Sequence, residues 1–328
     1  VDPERRIPVK FSVDRDKSVF AAKRGLSALT GNSFASFLIR STGVLVFLVT
    51  GLFFVFIIYQ SLLVFNYLSP SDLLFSTKNG EKVFEWYPVS ADPKYSIVPL
   101  ILGTVMTAIP ATIISSIFGV GIGVYISEFA PRAISRFLKQ IIDIFASLPT
   151  VAVGFILLTV GVTFFSSLFD PQNRLNAFLS SLGLSLIIIP QIASLTEEAL
   201  RGVPGHVRTA AYSLGAGRWE TVRSVVFPAA VNGISASILL GFGRALGDTM
   251  IVLMTSGNAA NISMNPFGSV RTMTATIAAE LGEVSSGTAH FQTLFFLGMI
   301  LFLMSVLINL LVKYLIKKLI QQSGGEVR

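Results

Sequence analysis

The sequence predicts an all-α polytopic membrane protein with six transmembrane helices, and three observations predict it. Of 328 residues, 52% are hydrophobic and only 13% charged, against about 25% charged residues in a typical soluble domain, and the mean hydropathy is +0.71. The apolar residues collect into six charge-poor stretches, each long enough for the roughly 20 residues that cross a bilayer. The basic residues are shared unequally between the connections. The N-terminal tail, the 2–3 and 4–5 connections and the C-terminal end hold 19 Lys and Arg, the remaining connections hold 5, and Arg244 lies inside a span. The positive-inside rule therefore places both termini and the 4–5 connection in the cytoplasm.

In chain order, residues 1–41 form a basic tail with Arg5, Arg6, Lys10, Arg15, Lys17, Lys23, Arg24 and Arg40. Its apolar residues (Val19, Phe20, Leu26, Leu29, Phe34, Phe37) are spaced loosely enough for a short interfacial helix, and a solvated tail fits equally well. The tail is too charged for a signal peptide, so the first span would act as an uncleaved anchor. The membrane domain covers 42–320, followed by a short tail, 321–328. Its first span falls in 43–68, the second between Lys94 and Glu128, the third between Asp143 and Asp170, and the fourth from Arg174 to Glu197. The fifth begins after Arg223 and the sixth lies between Glu283 and Lys313. Asn79-Gly80 in the 1–2 connection predicts a type I′ hairpin. Val270, Met273, Ile277 and Leu281 in the 5–6 connection recur at helical spacing. Pro110, Pro149 and Pro190 fall within spans, where each removes a backbone hydrogen bond and bends or breaks its helix.

Several chemistries are excluded. Without cysteine there is no disulfide and no thiolate metal site. His206 and His290 belong to no ligand-spaced cluster, and no Ser/His/Asp or HExxH arrangement is present. No P-loop pattern occurs, and Gly215-Ala216-Gly217 lacks the preceding strand and third glycine of a dinucleotide site. Asp143 reads as a helix-end charge at the inner end of the third span, and Glu280 and Glu283 read as solvated or as contacts for an outer partner.

The strongest intramembrane signal is the run Gly243, Arg244, Ala245, Leu246, Gly247, Asp248, Thr249. An arginine at the centre of a membrane helix costs at least about 2.5–3.5 kcal/mol, so it should face protein or water. Asp248 lies four residues on, where it can partly neutralise Arg244. Gly243 and Gly247 form a small-xxx-small pair suited to close helix packing. Two readings fit: a structural ion pair, or a guanidinium offered to a passing oxyanion, which its planar fork can bond at two oxygens.

Residues 209–228 form a polar island between apolar spans: a short helix, a glycine break, a second short helix and a proline. Ala210-Ala211, three residues, Gly215, nine residues and then Val225-Val226-Phe227-Pro228 resemble the coupling loop of ATP-binding-cassette importer permeases, whose pattern is EAA-x3-G-x9-I-x-L-P. Thr209, Val225 and Phe227 depart from it. Within that superfamily, residues 243–250 (GRALGDTM) resemble the GRA[IL]GETM run of the C-type subunit of phosphate-specific (Pst) permeases, with Asp248 in place of Glu. The runs 270–283, 297–302 and 149–154 resemble that subunit too. The resemblance implies a type I importer permease fold with a cytoplasmic coupling helix in a loop at 196–223. It also implies an A-type permease partner, two cytoplasmic ATPase subunits that bind the ATP and Mg, and an extracytoplasmic phosphate-binding protein. This chain would be a non-catalytic, multi-pass subunit of the cytoplasmic membrane with no cofactor of its own. Ala210, Ala211, Gly215 and Pro228 would couple it to the ATPase, and Arg244, Asp248 and Thr249 would line the substrate path. Another oxyanion, such as sulfate or molybdate, or a self-sufficient secondary carrier or channel, remain the alternatives.

Overall fold

The computed structural model describes residues 33–78 and 81–322. The chain divides into two compact units, Val1–Phe56 and Ile57–Arg328. The described part of the first is one apolar helix whose side chains are exposed almost throughout, among them Phe47 and Leu52. The interfacial helix expected around residues 19–37 falls largely outside the described residues.

Six helices are long and apolar enough to cross a membrane: Ser36–Asn66, Val98–Phe129, Thr150–Phe169, Ala177–Arg201, Arg218–Gly247 and Ala289–Leu311. They are numbered here as spans 1 to 6. Hydrocarbon offers no partner for backbone N–H and C=O groups, so a spanning segment satisfies them internally as a helix. In the second unit, span 4 is the central one, with 61% of its apolar window buried against 11% for span 6. Spans 2 and 5 pack on it through small residues. A Cβ on Gly119 of span 2 would lie 2.8 Å from Cβ of Ile192, one on Gly123 2.7 Å from Cβ of Thr196, and one on Gly241 of span 5 2.8 Å from Cδ1 of Ile192. Close approach of this kind drives helix association where no hydrophobic effect separates protein from lipid. Buried hydroxyls fasten the same interfaces: Ser181 donates to the Thr107 carbonyl at 3.1 Å, and Thr196 bonds Ser237 at 3.2 Å.

Two spans differ from expectation. Residues 132–146 are a separate amphipathic helix, Arg132–Ala146, so span 3 is short and Asp143 lies on this helix rather than at the span's inner end. Pro149 consequently caps the start of span 3 instead of interrupting it. Pro110 and Pro190 do lie inside continuous helices. Span 5 starts earlier than expected, at Arg218, and runs through Pro228. Pro228 offers no N–H to the Ser224 carbonyl and its ring crowds that group. The helix meets this with a wider π turn at Val222–Val226, directly ahead of the proline. Two further π turns, Tyr125–Phe129 and Leu157–Gly161, lie in spans 2 and 3.

The bundle has a basic end, carrying residues 128–146 and 201–223, and an opposite hairpin end. At the latter, strands Ser76–Lys78 and Glu81–Val83 pair antiparallel with Lys78 opposite Glu81, while the turn residues Asn79 and Gly80 lie outside the described residues. A second ladder pairs Trp86 with Tyr95. The expected helix of the 5–6 connection is Met273–Glu280, capped by Thr272, whose side chain accepts from the Ala275 N–H at 3.3 Å.

At Gly103 of span 2 a Cβ would fall 2.2 Å from the Arg271 carbonyl oxygen, whereas at Gly121 it would meet nothing within 4 Å. Gly103→Ala should therefore lose about 1–3 kcal/mol through overpacking, and Gly121→Ala should be neutral or gain about 0.5–1 kcal/mol of helix propensity. Thermal unfolding of the two variants in detergent separates these outcomes.

Candidate functional site

The 4–5 connection is built as a short lever fixed to the bundle. Span 4 ends at Arg201, and Gly205–Ser213 forms the loop helix. Gly215 follows with φ +86°, and the chain enters span 5 at Arg218. A Cβ at Gly215 would meet nothing, so the glycine is required by backbone conformation alone. It closes the helix in the left-handed region that side chains disfavour. Ala211 is buried, close in sequence to Val203 and Val207 of a small core with Leu200, Val226, Ala230 and Ile234. Ala210 is exposed, as is Thr209. Tyr212, Trp219 and above all Leu214, at 90% exposure, put apolar surface on the outside of a polar loop.

The anchor of this lever is Glu128, a residue that sequence reasoning used only as the edge of a span. Its side chain is 8% exposed. Arg208 of the loop helix grips it with two arms, Nη2 to Oε1 at 2.7 Å and Nε to Oε2 at 3.3 Å. The same guanidinium donates to the carbonyls of Val203 at 2.6 Å and Leu200 at 2.8 Å, at and just past the end of span 4. Arg218 bonds the Glu128 carbonyl and lies over the Phe129 ring at 5.4 Å. Trp219 packs on the same ring, 6.0 Å away. Pro228 lies ten residues into span 5 and is exposed, so it shapes the helix rather than ending the loop. A second brace ties the amphipathic helix to span 4, with Lys139 bonding Ser194 at 2.6 Å and Glu197 at 3.1 Å.

Farther along span 5, Arg244 and Asp248 make no ion-pair contact within 4.0 Å, although the arginine still acts on the carboxylate through its charge. The helix ends at Gly247 and Asp248 is extended (φ −69°, ψ 132°), so the two side chains no longer stack one turn apart. The Asp248 carboxylate instead accepts from the Ile251 N–H at 3.1 Å, capping the next helix, Met250–Thr255. Its carbonyl takes the Thr274 hydroxyl at 3.0 Å. Half-buried Arg244 donates from Nη1 to Oε1 of Gln191 in span 4 at 3.1 Å, its one hydrogen bond among the described residues. Four of its five N–H donors are thus uncommitted to protein. Thr249, half-buried, sits in the break between the two helices. Among the described residues none packs on Gly243 or Gly247 within 4 Å of a Cβ position, whereas close small-residue contacts occur at Gly119, Gly123 and Gly241. Gln191 was legible in principle as a lone amide in an apolar run, next to Pro190.

At the hairpin end Glu280 is not solvated. It accepts from Arg271 at 2.5 Å and from the Trp86 indole at 3.2 Å, and it bonds His290 at 2.8 Å, joining four chain segments.

Residues 117–321 match the family described as "Binding-protein-dependent transport system inner membrane component". The probable ABC transporter permease protein YqgH of Bacillus subtilis is 33% identical over 248 residues, spanning 76% of this chain and 78% of its own length. The phosphate transport system permease protein PstC of Mesorhizobium japonicum is 33% identical over 242 residues, 68% of this chain and 73% of that protein. Among solved structures, a bacterial alginate ABC transporter with its alginate-bound periplasmic protein superposes with a TM-score of 0.61. It covers 90% of this chain and 97% of the other at 11% identity, a likeness of fold.

Removing one partner from a buried ion pair typically costs about 3–5 kcal/mol. Glu128→Gln and Arg208→Gln should each lower thermal stability by an amount near the bottom of that range. The double variant should lose at least 1 kcal/mol less than the sum, roughly the coupling expected of contacting residues. Additive losses in the double-mutant cycle would show that the two residues act separately.

Proposed function

The chain belongs to the family of binding-protein-dependent transport system inner membrane components and is a permease of an ATP-binding-cassette importer, and we propose that it is the C-type permease subunit of an inorganic phosphate importer. It is a multi-pass membrane subunit without catalytic chemistry, ATP hydrolysis lying with a separate subunit in such systems. The observation that carries the proposal is Arg244: a guanidinium in the last turn of span 5, at a helix break, with one amide partner and its other donors uncommitted among the described residues. An ionisable side chain within a membrane span marks a substrate pathway. A fork that bonds two oxygens suits a tetrahedral oxyanion. The phosphate transport permeases at 33% and 30% identity support phosphate as that anion.

On this reading the loop helix is the coupling helix. The basic end faces the cytoplasm with both termini, as the asymmetry of Lys and Arg requires. Tyr212, Leu214 and Trp219 seat in the ATPase, of which two copies bind the ATP and Mg. Ala210, Ala211 and Gly215 shape the seated helix. The Glu128–Arg208 grip passes its displacement to spans 2 and 4, and the π turn before Pro228 passes it into span 5. Gly243 and Gly247, open in this chain, lie on a surface available to a homologous A-type permease, so that the path runs between the two subunits. The hairpin end receives the extracytoplasmic phosphate-binding protein, and Asp248 and Thr249 line the path at the break beside Arg244. The chain carries no cofactor of its own.

Two variants of the reconstituted complex test this. Arg244→Gln should lower phosphate uptake roughly thirtyfold or more, the weight of a lost charged hydrogen-bond pair, with assembly intact by size exclusion. Undiminished uptake removes Arg244 from the path. Gly215→Val should leave ATP hydrolysis running while uptake falls. Competition by sulfate and molybdate decides the anion, and uptake by the purified chain alone in liposomes would favour a secondary carrier.

A further inference from the structure

Beside the lever, at the basic end, three guanidinium groups converge on one groove of about 470 Å³ lined by Arg132, Ser135, Arg136 and Arg201. Arg132 and Arg136 stand in the opening turns of the amphipathic helix and Arg201 in the last turn of span 4. Ser135 is the buried floor: its hydroxyl donates to the Ile126 carbonyl at 3.1 Å and accepts from Arg201 Nη2 at 3.0 Å. Arg201 is also paired with Glu197, a carboxylate shared with Lys139.

The charges of Arg132 and Arg136 are not balanced by an ion pair among the described residues. Among the described residues no carboxylate comes within 4.0 Å of Arg132 or Arg136, and the one contact of Arg136 is its Nε to the Arg132 carbonyl at 3.4 Å. The two arginines are four residues apart on a helix, where like charges repel. They also occupy the helix N-terminus, where the macrodipole is positive, and that first turn holds no acidic residue and no side-chain cap. Each of these terms would be relieved by a bound anion. The opposite face of the same helix exposes Ile134, Phe137, Ile144 and Phe145, the pattern of a helix lying in a membrane interface, so the groove sits at headgroup depth.

We propose that this groove binds a phosphate group, separate from the translocation path, with the forks of Arg132 and Arg136 on its oxygens and Arg201 completing the ring of positive charge. An anionic phospholipid headgroup and inorganic phosphate in solution present the same chemistry.

The test uses the assembled transporter in nanodiscs and compares the parent with Arg132→Gln/Arg136→Gln and Arg132→Lys/Arg136→Lys. Both arginines are exposed and outside any ion pair, so the substitutions leave the fold in place. In one arm, phosphatidylglycerol retained from mixed nanodiscs is counted by native mass spectrometry. In the other, radiolabelled inorganic phosphate binding to phosphatidylcholine nanodiscs is followed by equilibrium dialysis in an Arg244→Gln background. The glutamine pair should weaken binding about tenfold or more in one arm, and the lysine pair, which keeps charge without the fork, by less. Loss in the first arm assigns the lipid headgroup and loss in the second assigns free phosphate. Equal binding by the parent and the glutamine pair in both arms overturns the proposal. So does a fall in transport with both bindings unchanged, which would assign the arginines to an acidic segment of a partner subunit.

Discussion

The carboxylate of Glu128, held by both arms of Arg208, is the interaction on which the basic end of the bundle depends. A charge buried to this degree is tolerated only when paired and hydrogen-bonded, so the loop helix has to lie where its arginine can reach span 2. Once there, the remaining N–H groups of that arginine close the carbonyls at the end of span 4. One guanidinium therefore ties span 2, span 4 and the loop into a single body. The loop is exposed and carries apolar side chains outward, yet it is not a slack connection.

The hairpin end uses the same device with a different cast. Glu280 is the shared acceptor for an indole, a guanidinium and an imidazole drawn from the 1–2 connection, the 5–6 connection and the start of span 6. Between the two ends there is little of this kind. The middle of the bundle is held by glycines that let backbones approach and by serine and threonine hydroxyls that return their protons to nearby carbonyls. Arg244, whose one hydrogen bond among the described residues goes to Gln191, is the exception in that stretch, with Asp248 just beyond the helix end.

Six spans, their order and the polar loop between the fourth and fifth were legible because hydropathy and charge are local properties of the chain. The helix of the 5–6 connection was legible from the spacing of Met273 and Ile277. What failed were inferences that needed a partner or a helix end. The Arg244–Asp248 pairing assumed an unbroken helix, and nothing in the residues 243–249 announces that Asp248 leaves it to cap its successor. Gly243 and Gly247 have the right spacing for helix contact, but spacing does not say which face a neighbour occupies. Glu128 was read as the edge of an apolar run and Glu280 as solvated or a contact for an outer partner, because their partners, Arg208 and His290, lie 80 and 10 residues away in sequence and are brought close only by the fold. Residues 132–146 were legible as basic but not as a separate helix, since their apolar face continues the hydropathy of span 3.

The π turn at Val222–Val226 has a geometric consequence for span 5. Its buried residues Val222, Val226, Ala230 and Ile234 recur every fourth position. In a regular helix of 3.6 residues per turn, each such step overshoots a full circle by about 40°, so the stripe would wind off the core within three steps. A turn that takes more residues to close absorbs much of that overshoot. The wide turn acts as a gear between two segments with different angular phase, one fixed to the loop and one fixed to span 4. The azimuth at which Arg244 meets Gln191 is thus set about five turns upstream, by how many residues the helix spends getting past Pro228.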